Sequence, residues 1–274
     1  MVLLAKLTKI TTQKKNKGRY NIFLDYGQGE AYGFSVDEDI LVKYRLQKNM
    51  ELDEATIEAM KQTDEIHKFY TLAINYLSYR MRSEKEIRDY LNDKEADPEH
   101  INEIVARLKK EKLLDDQEFA NSLVRTRIMT SSKGPLLLKK ELIEKGVNKS
   151  QAEVALEYFT FDKQYEKAMK FAEKKMKNDG KKSFRQQIQN VQQTLMQKGY
   201  QGEVVQEVLA NLPEEENEES EWQAAVLQGE KILRKYQQKA EGYELKQKVK
   251  SAMYRKGFTF DVIDRFLEEY CDEQ

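Results

Sequence analysis

Leu142-Ile143-Glu144-Lys145-Gly146 returns as Leu195-Met196-Gln197-Lys198-Gly199 and, nearly intact, as Met253-Tyr254-Arg255-Lys256-Gly257. Leu91-Asn92-Asp93-Lys94-Glu95 is a fourth copy in which glutamate holds the glycine's place. The copies lie 51, 53 and 58 residues apart. An apolar residue followed three positions later by Lys-Gly is the chemistry of a helix end. The lysine faces the negative pole of the helix, and the glycine takes the left-handed conformation that turns the chain away. Glu95 departs from that chemistry.

The flanks of each anchor agree. Counting 6, 9, 10 and 13 residues past the glycine position gives Ile101, Ile104, Val105 and Leu108, then Ala152, Ala155, Leu156 and Phe159. The third and fourth copies have Val205, Val208, Leu209 and Leu212, then Ile263, Phe266, Leu267 and Tyr270. All sixteen are apolar or aromatic, at the spacing of one helix face. Eight residues before each glycine position stand Ile87, Leu138, Val191 and Val249, the expected buried side of the preceding helix. A further helix opens each unit, at Ala73–Arg80, Ala120–Arg127, Ala168–Lys175 and Gly229–Tyr236. Ser83 with Glu86, Asp97 before Pro98, and Asn148 supply helix starts. Leu142 and Leu195 are expected to be buried.

Units of about 50 residues with three short helices bury little alone and must stack on neighbours. The fold expected is mainly α: tandem three-helix repeats forming an elongated curved solenoid, with a small N-terminal antiparallel β element. Composition fits, with 35% charged residues and only 3 Pro in 274 residues. Residues 1–64 read as β-strands plus a helix. Leu3–Ile10, Arg19–Leu24 and Ala31–Val36 form three β-prone runs separated by turn residues, with Ser35 and Glu38 placed as a capping box. Repeats follow at 65–115, 116–161, 162–213 and 222–274, the last preceded by an acidic linker, 214–221.

Catalytic chemistry has little to draw on. The chain has two histidines, His67 just before a helix and His100 in a first turn, and one cysteine, Cys271. That set does not make a structural zinc site or a nucleophilic triad, and no phosphate-cradling glycine loop is present. The reading is therefore no enzyme, no cofactor and no metal. A single cysteine, no signal-peptide core and no membrane span point to a cytoplasmic protein, which we read as a monomer that binds a partner.

The net charge of −1 conceals segregation. Residues 162–198 carry ten Lys/Arg against four Asp/Glu, and residues 125–149 carry seven against two. Residues 203–221 carry eight Glu and no basic residue. Arg80, Arg82, Arg88, Arg125, Arg127, Lys133, Lys139 and Lys140 fall in equivalent regions of the first two units. They are the candidate contacts to a polyanion or an acidic protein surface, as a row of cations. Ion pairing with neighbouring glutamates is the competing role for each. Reversing Arg80 and Arg127 to Glu is expected to weaken partner binding with little change in melting temperature.

Leu113-Leu114-Asp115-Asp116-Gln117-Glu118-Phe119-Ala120, followed by Arg127, Lys133-Gly134, Leu138, Leu142 and Lys145-Gly146, resembles the core of the RecX family. Ala73, Tyr76, Leu77, Arg80, Arg82, Ser83 and Glu86 match that family's opening unit. The likeness is specific over residues 69–160 and looser toward the fourth unit. It implies a regulator of RecA recombinase, in homologous recombination and the SOS response. Such a protein lies on RecA filaments on single-stranded DNA and usually inhibits RecA. Direct DNA binding, or a general interaction scaffold, is the alternative reading.

Overall fold

The computed structural model describes residues 4–179, 181–212 and 218–271, and the chain divides into two compact units, Met1–Phe119 and Ala120–Gln274. The first unit opens with β1 (Leu4–Thr12), β2 (Arg19–Asp25) and β3 (Glu30–Asp37). A fourth strand, β4 (Glu51–Asp53), completes an antiparallel sheet of order β3-β2-β1-β4. The sequence pattern predicts only the first three; β4 spans three residues, too few to show an alternation. Between β3 and β4 lies the short α1 (Glu38–Lys43). Its N-cap is Asp37, whose carboxylate accepts from the Asp39 N–H, and not Ser35. β3 runs on two residues further than the capping-box reading allows, so Ser35 pairs with Asn21 inside the sheet.

One face of the sheet is apolar. Leu7, Ile22, Leu24, Phe34, Val36 and Leu52 pack with Ile40 of α1 and with Ile57 and Met60 of α2 (Glu54–Ser78). This helix has 25 residues, about 37 Å of rise, and His67 lies within it rather than before it. Its first half covers the sheet. Its second half supplies Phe69 and Ala73 to another core, with α3 (Glu84–Asp93) and α4 (Pro98–Lys110). Midway along, Asp64 accepts from the Arg19 guanidinium at 2.6 Å and from the Asp37 N–H at 2.7 Å.

After α5 (Asp116–Thr130), which leads into the second unit, come α6 (Pro135–Glu144) and α7 (Lys149–Leu156). Two further triplets follow: α8 (Phe161–Asp179), α9 (Phe184–Gln197) and α10 (Gly202–Ala210), then α11 (Glu218–Tyr236), α12 (Gly242–Arg255) and α13 (Phe260–Cys271). Thirteen of the sixteen periodic apolar positions are buried, and Leu156, Leu209 and Tyr270 are half-buried. Ile87, Leu138, Val191 and Val249 are buried, as are Leu142 and Leu195. The Ser83–Glu86 capping box, the Asp97 cap before Pro98 and the Asn148 cap all form. The last four residues of the stretch read as an acidic linker, Glu218–Glu221, form the first turn of α11, where acidic side chains suit the helix dipole. Residues 213–217 lie outside the described residues.

Every middle helix ends in the same motif. The N–H groups of Ala96, Val147, Tyr200 and Phe258 reach back to the carbonyls of Leu91, Leu142, Leu195 and Met253, at 3.1, 3.1, 3.1 and 3.4 Å. Both members of each pair are buried, which is the hydrophobic contact that accompanies such an end. The residue between is left-handed throughout: φ is 63° at Glu95, 88° at Gly146, 83° at Gly199 and 88° at Gly257. Glu95 therefore keeps the left-handed cap despite its side chain.

The second unit explains why glycine is otherwise preferred. Gly134 and Leu136, at the start of α6, donate their N–H groups to the carbonyls of Lys198 (2.7 Å) and Gly199 (3.1 Å). A Cβ on Gly199 would stand 2.8 Å from the Leu137 nitrogen. At the next junction the Ser183 hydroxyl, N-cap of α9, donates to the Lys256 carbonyl, and a Cβ on Gly257 would stand 2.8 Å from Ser183 Oγ. Glu221 accepts the Phe184 N–H at 2.9 Å; burial holds its carboxyl above the usual range, and this hydrogen bond offsets part of the shift. Glu95 carries an exposed side chain and follows a module with no helical repeat before it.

Alanine at Gly199 or Gly257 combines left-handed strain of about 1–2 kcal/mol with a blocked junction. Each is predicted to destabilise by about 2 kcal/mol or more, read as a lower urea midpoint. Glu95→Gly is predicted to stay within about 1 kcal/mol of the parent, and an equal loss there would refute the junction argument.

Candidate partner-binding surfaces

In the first unit, Arg80 at the end of α2 donates to Glu86 at 2.8 and 3.1 Å and to the Met81 carbonyl at 2.8 Å. Glu86 is itself the capping-box carboxylate of α3, so Arg80 fastens one helix end to the next helix start. Its hydrogen bonds to Glu86 raise the guanidinium's pKa further. Arg88 binds Glu84 at 2.7 Å and Asn102 at 2.8 Å. Lys109 of α4 reaches the other oxygen of Glu84 at 2.5 Å. Burial disfavours the Glu84 charge, but the hydrogen bonds from Lys109 and Arg88 outweigh it and hold the carboxyl low. Arg82 Cζ lies over Tyr76, 3.8 Å from the ring centre, and Tyr76 stacks on Tyr90 at 4.1 Å. Lys94 Nζ lies 5.7 Å from the Tyr90 ring centre.

In the second unit, Arg127 and Lys133 converge on Glu141 of α6, each at 2.7 Å. Arg125 lies 4.2 Å over the Tyr158 ring. Lys139 binds Glu153 of α7 at 2.7 Å. Lys140 is the most loosely held of the eight, its side chain 72% exposed and the Glu144 carboxylate 3.8 Å away. Among the eight, all but Lys140 are engaged by a close carboxylate or an aromatic ring. Arg80 and Arg127, seven residues after the matching Ala73 and Ala120, both clamp their own module. Charge reversal at Arg127 would confront Glu141, whose side chain is only 11% exposed. Reversal there is expected to lower the melting temperature rather than leave it nearly unchanged.

Two clusters escaped sequence reasoning. His67 of α2 donates its Nε2–H to Asp39 Oδ2 at 3.0 Å, with Asp37 at 3.9 Å from its other nitrogen. These three are the one group among the described residues whose ligand atoms converge closely enough to hold a metal ion. Three ligands fall short of a closed structural site, and the arrangement is satisfied by the His67–Asp39 hydrogen bond. The second is basic: Lys14, Lys15 and Lys17 at the exposed β1–β2 hairpin, beside Lys9 on the sheet. The Lys-Lys-Asn-Lys run was legible; the strand pairing that sets Lys9 opposite Phe23 was not.

Family models match nearly the whole chain. "Regulatory protein RecX N-terminal domain" covers residues 5–53, and the first and second RecX three-helix domains cover 70–108 and 115–156. The chain belongs to the RecX family. The Regulatory protein RecX of Oceanobacillus iheyensis is 50% identical over 270 residues, covering 98% of this chain and 99% of that one. That of Halalkalibacterium halodurans is 42% identical over 266 residues, 97% of this chain and 100% of its own. A crystal structure of regulatory protein RecX superposes with a TM-score of 0.67 at 38% identity, covering 76% of this chain and 100% of that chain. RecX from Lactobacillus salivarius gives 0.53 at 35% identity, over 55% and 97%.

The RecX third three-helix domain matches twice, at residues 162–209 and 218–267. The two matched segments share a structural feature: α9 and α12 each have 14 residues, whereas α3 and α6 have 10. The last two modules share a middle helix longer by about one turn, which accounts for part of the growth in repeat spacing. Among the described residues no helix is long and apolar enough to cross a membrane.

The Glu141 cluster gives a pH-dependent prediction. Burial opposes its ionisation, but hydrogen bonds from Arg127 and Lys133 prevail and lower its pKa below 4.5. Folding therefore gains from the ionised form above pH about 4.5, and loses that gain as pH falls through the lowered folded value. Glu141→Gln is predicted to cost about 1–2 kcal/mol at pH 7, and progressively less at an acidic pH that falls through the lowered folded value. Urea unfolding at the two pH values reads the difference; a constant gap would refute it.

Proposed function

We propose that this chain is a non-enzymatic, cytoplasmic modulator that binds RecA filaments on single-stranded DNA and inhibits RecA. Family membership supports the target, and the repeated module supports the manner. A filament presents the same surface at regular intervals, and tandem modules can meet it with several weak contacts whose avidity adds. The eight cations serve as partner contacts in this reading, through their exposed edges. The acidic members of their clusters do not cancel them everywhere: Arg127 and Lys133 share the single carboxylate of Glu141. We read the chain as a monomer that needs no cofactor.

A direct DNA-binding role is the second reading, favoured by the basic stretches 125–149 and 162–198. Salt separates the two. Naked-DNA affinity should fall steeply with ionic strength in proportion to the phosphates contacted, whereas filament binding should persist when that affinity is weak.

Titrating the protein into RecA hydrolysing ATP on single-stranded DNA is predicted to slow turnover at substoichiometric to stoichiometric amounts. Unchanged turnover at these ratios refutes the reading. The double variant Lys139→Glu/Lys140→Glu is predicted to weaken inhibition several-fold with little change in melting temperature, because exposed pairs contribute only about 0–1 kcal/mol.

A further inference from the structure

We propose that the outer face of the N-terminal sheet is a stacking platform for single-stranded nucleic acid. Strand register places Tyr32, Phe23 and Lys9 in one row across β3, β2 and β1. The neighbouring row, Phe34, Ile22 and Ile10, faces the core; irregular pairing at Gly33, between Tyr32 and Phe34, and at Thr8, between Leu7 and Lys9, lets the first row lie on the outer face although Tyr32 and Phe34 are two residues apart. Phe23 and Tyr32 meet edge to face at 6.0 Å, and Lys9 Nζ lies 5.5 Å from the Phe23 ring centre. Tyr32 is 59% exposed. Core packing does not account for aromatic rings on that side.

Charge identifies the occupant. Lys14, Lys15 and Lys17 crown the β1–β2 hairpin and are exposed, and none has an ion pair among the described residues. The hairpin is held by Gln13 N–H to the Arg19 carbonyl at 2.8 Å and by Gly18 N–H to Asn16 Oδ1 at 3.2 Å. Three residues of strand, about 10 Å, separate Lys9 from the start of that hairpin at Thr12. The other end of the face is acidic, with Glu30 opposite Asp25. Asp25 is occupied by the Gly27 and Gly29 N–H groups and faces Lys6 across the sheet. A phosphate backbone is therefore drawn to the lysine end, and its bases fall over the ring row. Only unpaired bases offer free faces to such rings, so a duplex is disfavoured.

Such binding involves this chain alone and does not depend on RecA. Its test uses the full chain, a fluorescein-labelled oligothymidylate of about 15 nucleotides, within the usual site sizes, and a duplex of equal length. The parent is expected to prefer the single strand. Tyr32→Ala should weaken it about fivefold or more, the lower end of a lost stack. Lys14→Glu/Lys15→Glu/Lys17→Glu should weaken it further. The slope of log affinity against log salt should shrink by about 0.7 for each phosphate no longer neutralised. Both variants change exposed side chains, and unchanged melting curves confirm their folding. Bromodeoxyuridine crosslinks should map to residues 4–37. Parent-like binding by either variant, equal affinity for duplex, crosslinks confined to the helical modules, or no oligonucleotide binding would each overturn the proposal. So would poly-glutamate competing as well as the oligonucleotide at equal charge, which would mark an acidic-protein site instead.

Discussion

A helix that ends on a left-handed residue turns its chain away within one peptide and leaves its last carbonyls facing outward. The modules of the second unit are joined through those carbonyls. Gly134 and Leu136 N–H groups meet the carbonyls of Lys198 and Gly199, and the Ser183 hydroxyl meets that of Lys256. Unsatisfied donors at one helix start are thereby matched with unsatisfied acceptors at another helix end, and the two dipoles are opposed favourably. At Gly199 such contact brings backbone to backbone, and at Gly257 it brings a serine hydroxyl to backbone, in each case leaving no room for a Cβ. Glycine at positions 199 and 257 thus serves the junction as much as the turn. Glu95 separates these demands: it makes the turn at φ 63° without a junction to accommodate.

The same economy governs charge. A chain with 35% charged residues could have spent them on solubility alone. Instead Glu86 caps its own helix and holds Arg80, while Glu84 holds one cation from its own helix and another from α4. These ties are half-exposed and individually weak, so their use is to fix helix ends in register rather than to supply stability. At Glu141 two cations meet one carboxylate, and the surplus positive charge stays at the surface. A structural tie and a polyanion contact are compatible there, because the anchoring carboxylate cannot neutralise both partners.

Periodicity revealed the helical modules because their burial requirement recurs at positions a sequence displays directly: Leu142, Leu195, and the faces that follow each anchor. The caps were equally legible, since Ser83–Glu86 and Asp97–Pro98 act through neighbours in the chain. What escaped depended on partners distant in sequence. β4 exists because β1 is beside it, and Asp37 displaced Ser35 as a cap because sheet pairing carried β3 onward. For the cations, residue type and position were readable. Their partners at 14 residues' separation, as in Arg127–Glu141 and Lys139–Glu153, follow only from how two helices pack.

The sheet and the first helical module are not beads on a linker. α2 crosses from one to the other as 25 helical residues without an internal glycine or proline, supplying Met60 to one core and Phe69 to the next. Between these cores Asp64 binds Arg19 of β2 and the Asp37 backbone, with only 8% of its surface exposed. A buried carboxylate is costly unless its hydrogen bonds are kept, so rotation of the sheet about the helix would leave that charge unsatisfied. Position is thereby fixed by a penalty for moving. Any ligand held on the sheet's outer face is presented to the first module at a set distance. A polymer long enough to touch both binds the second site at high effective concentration, without a flexible chain to dilute it.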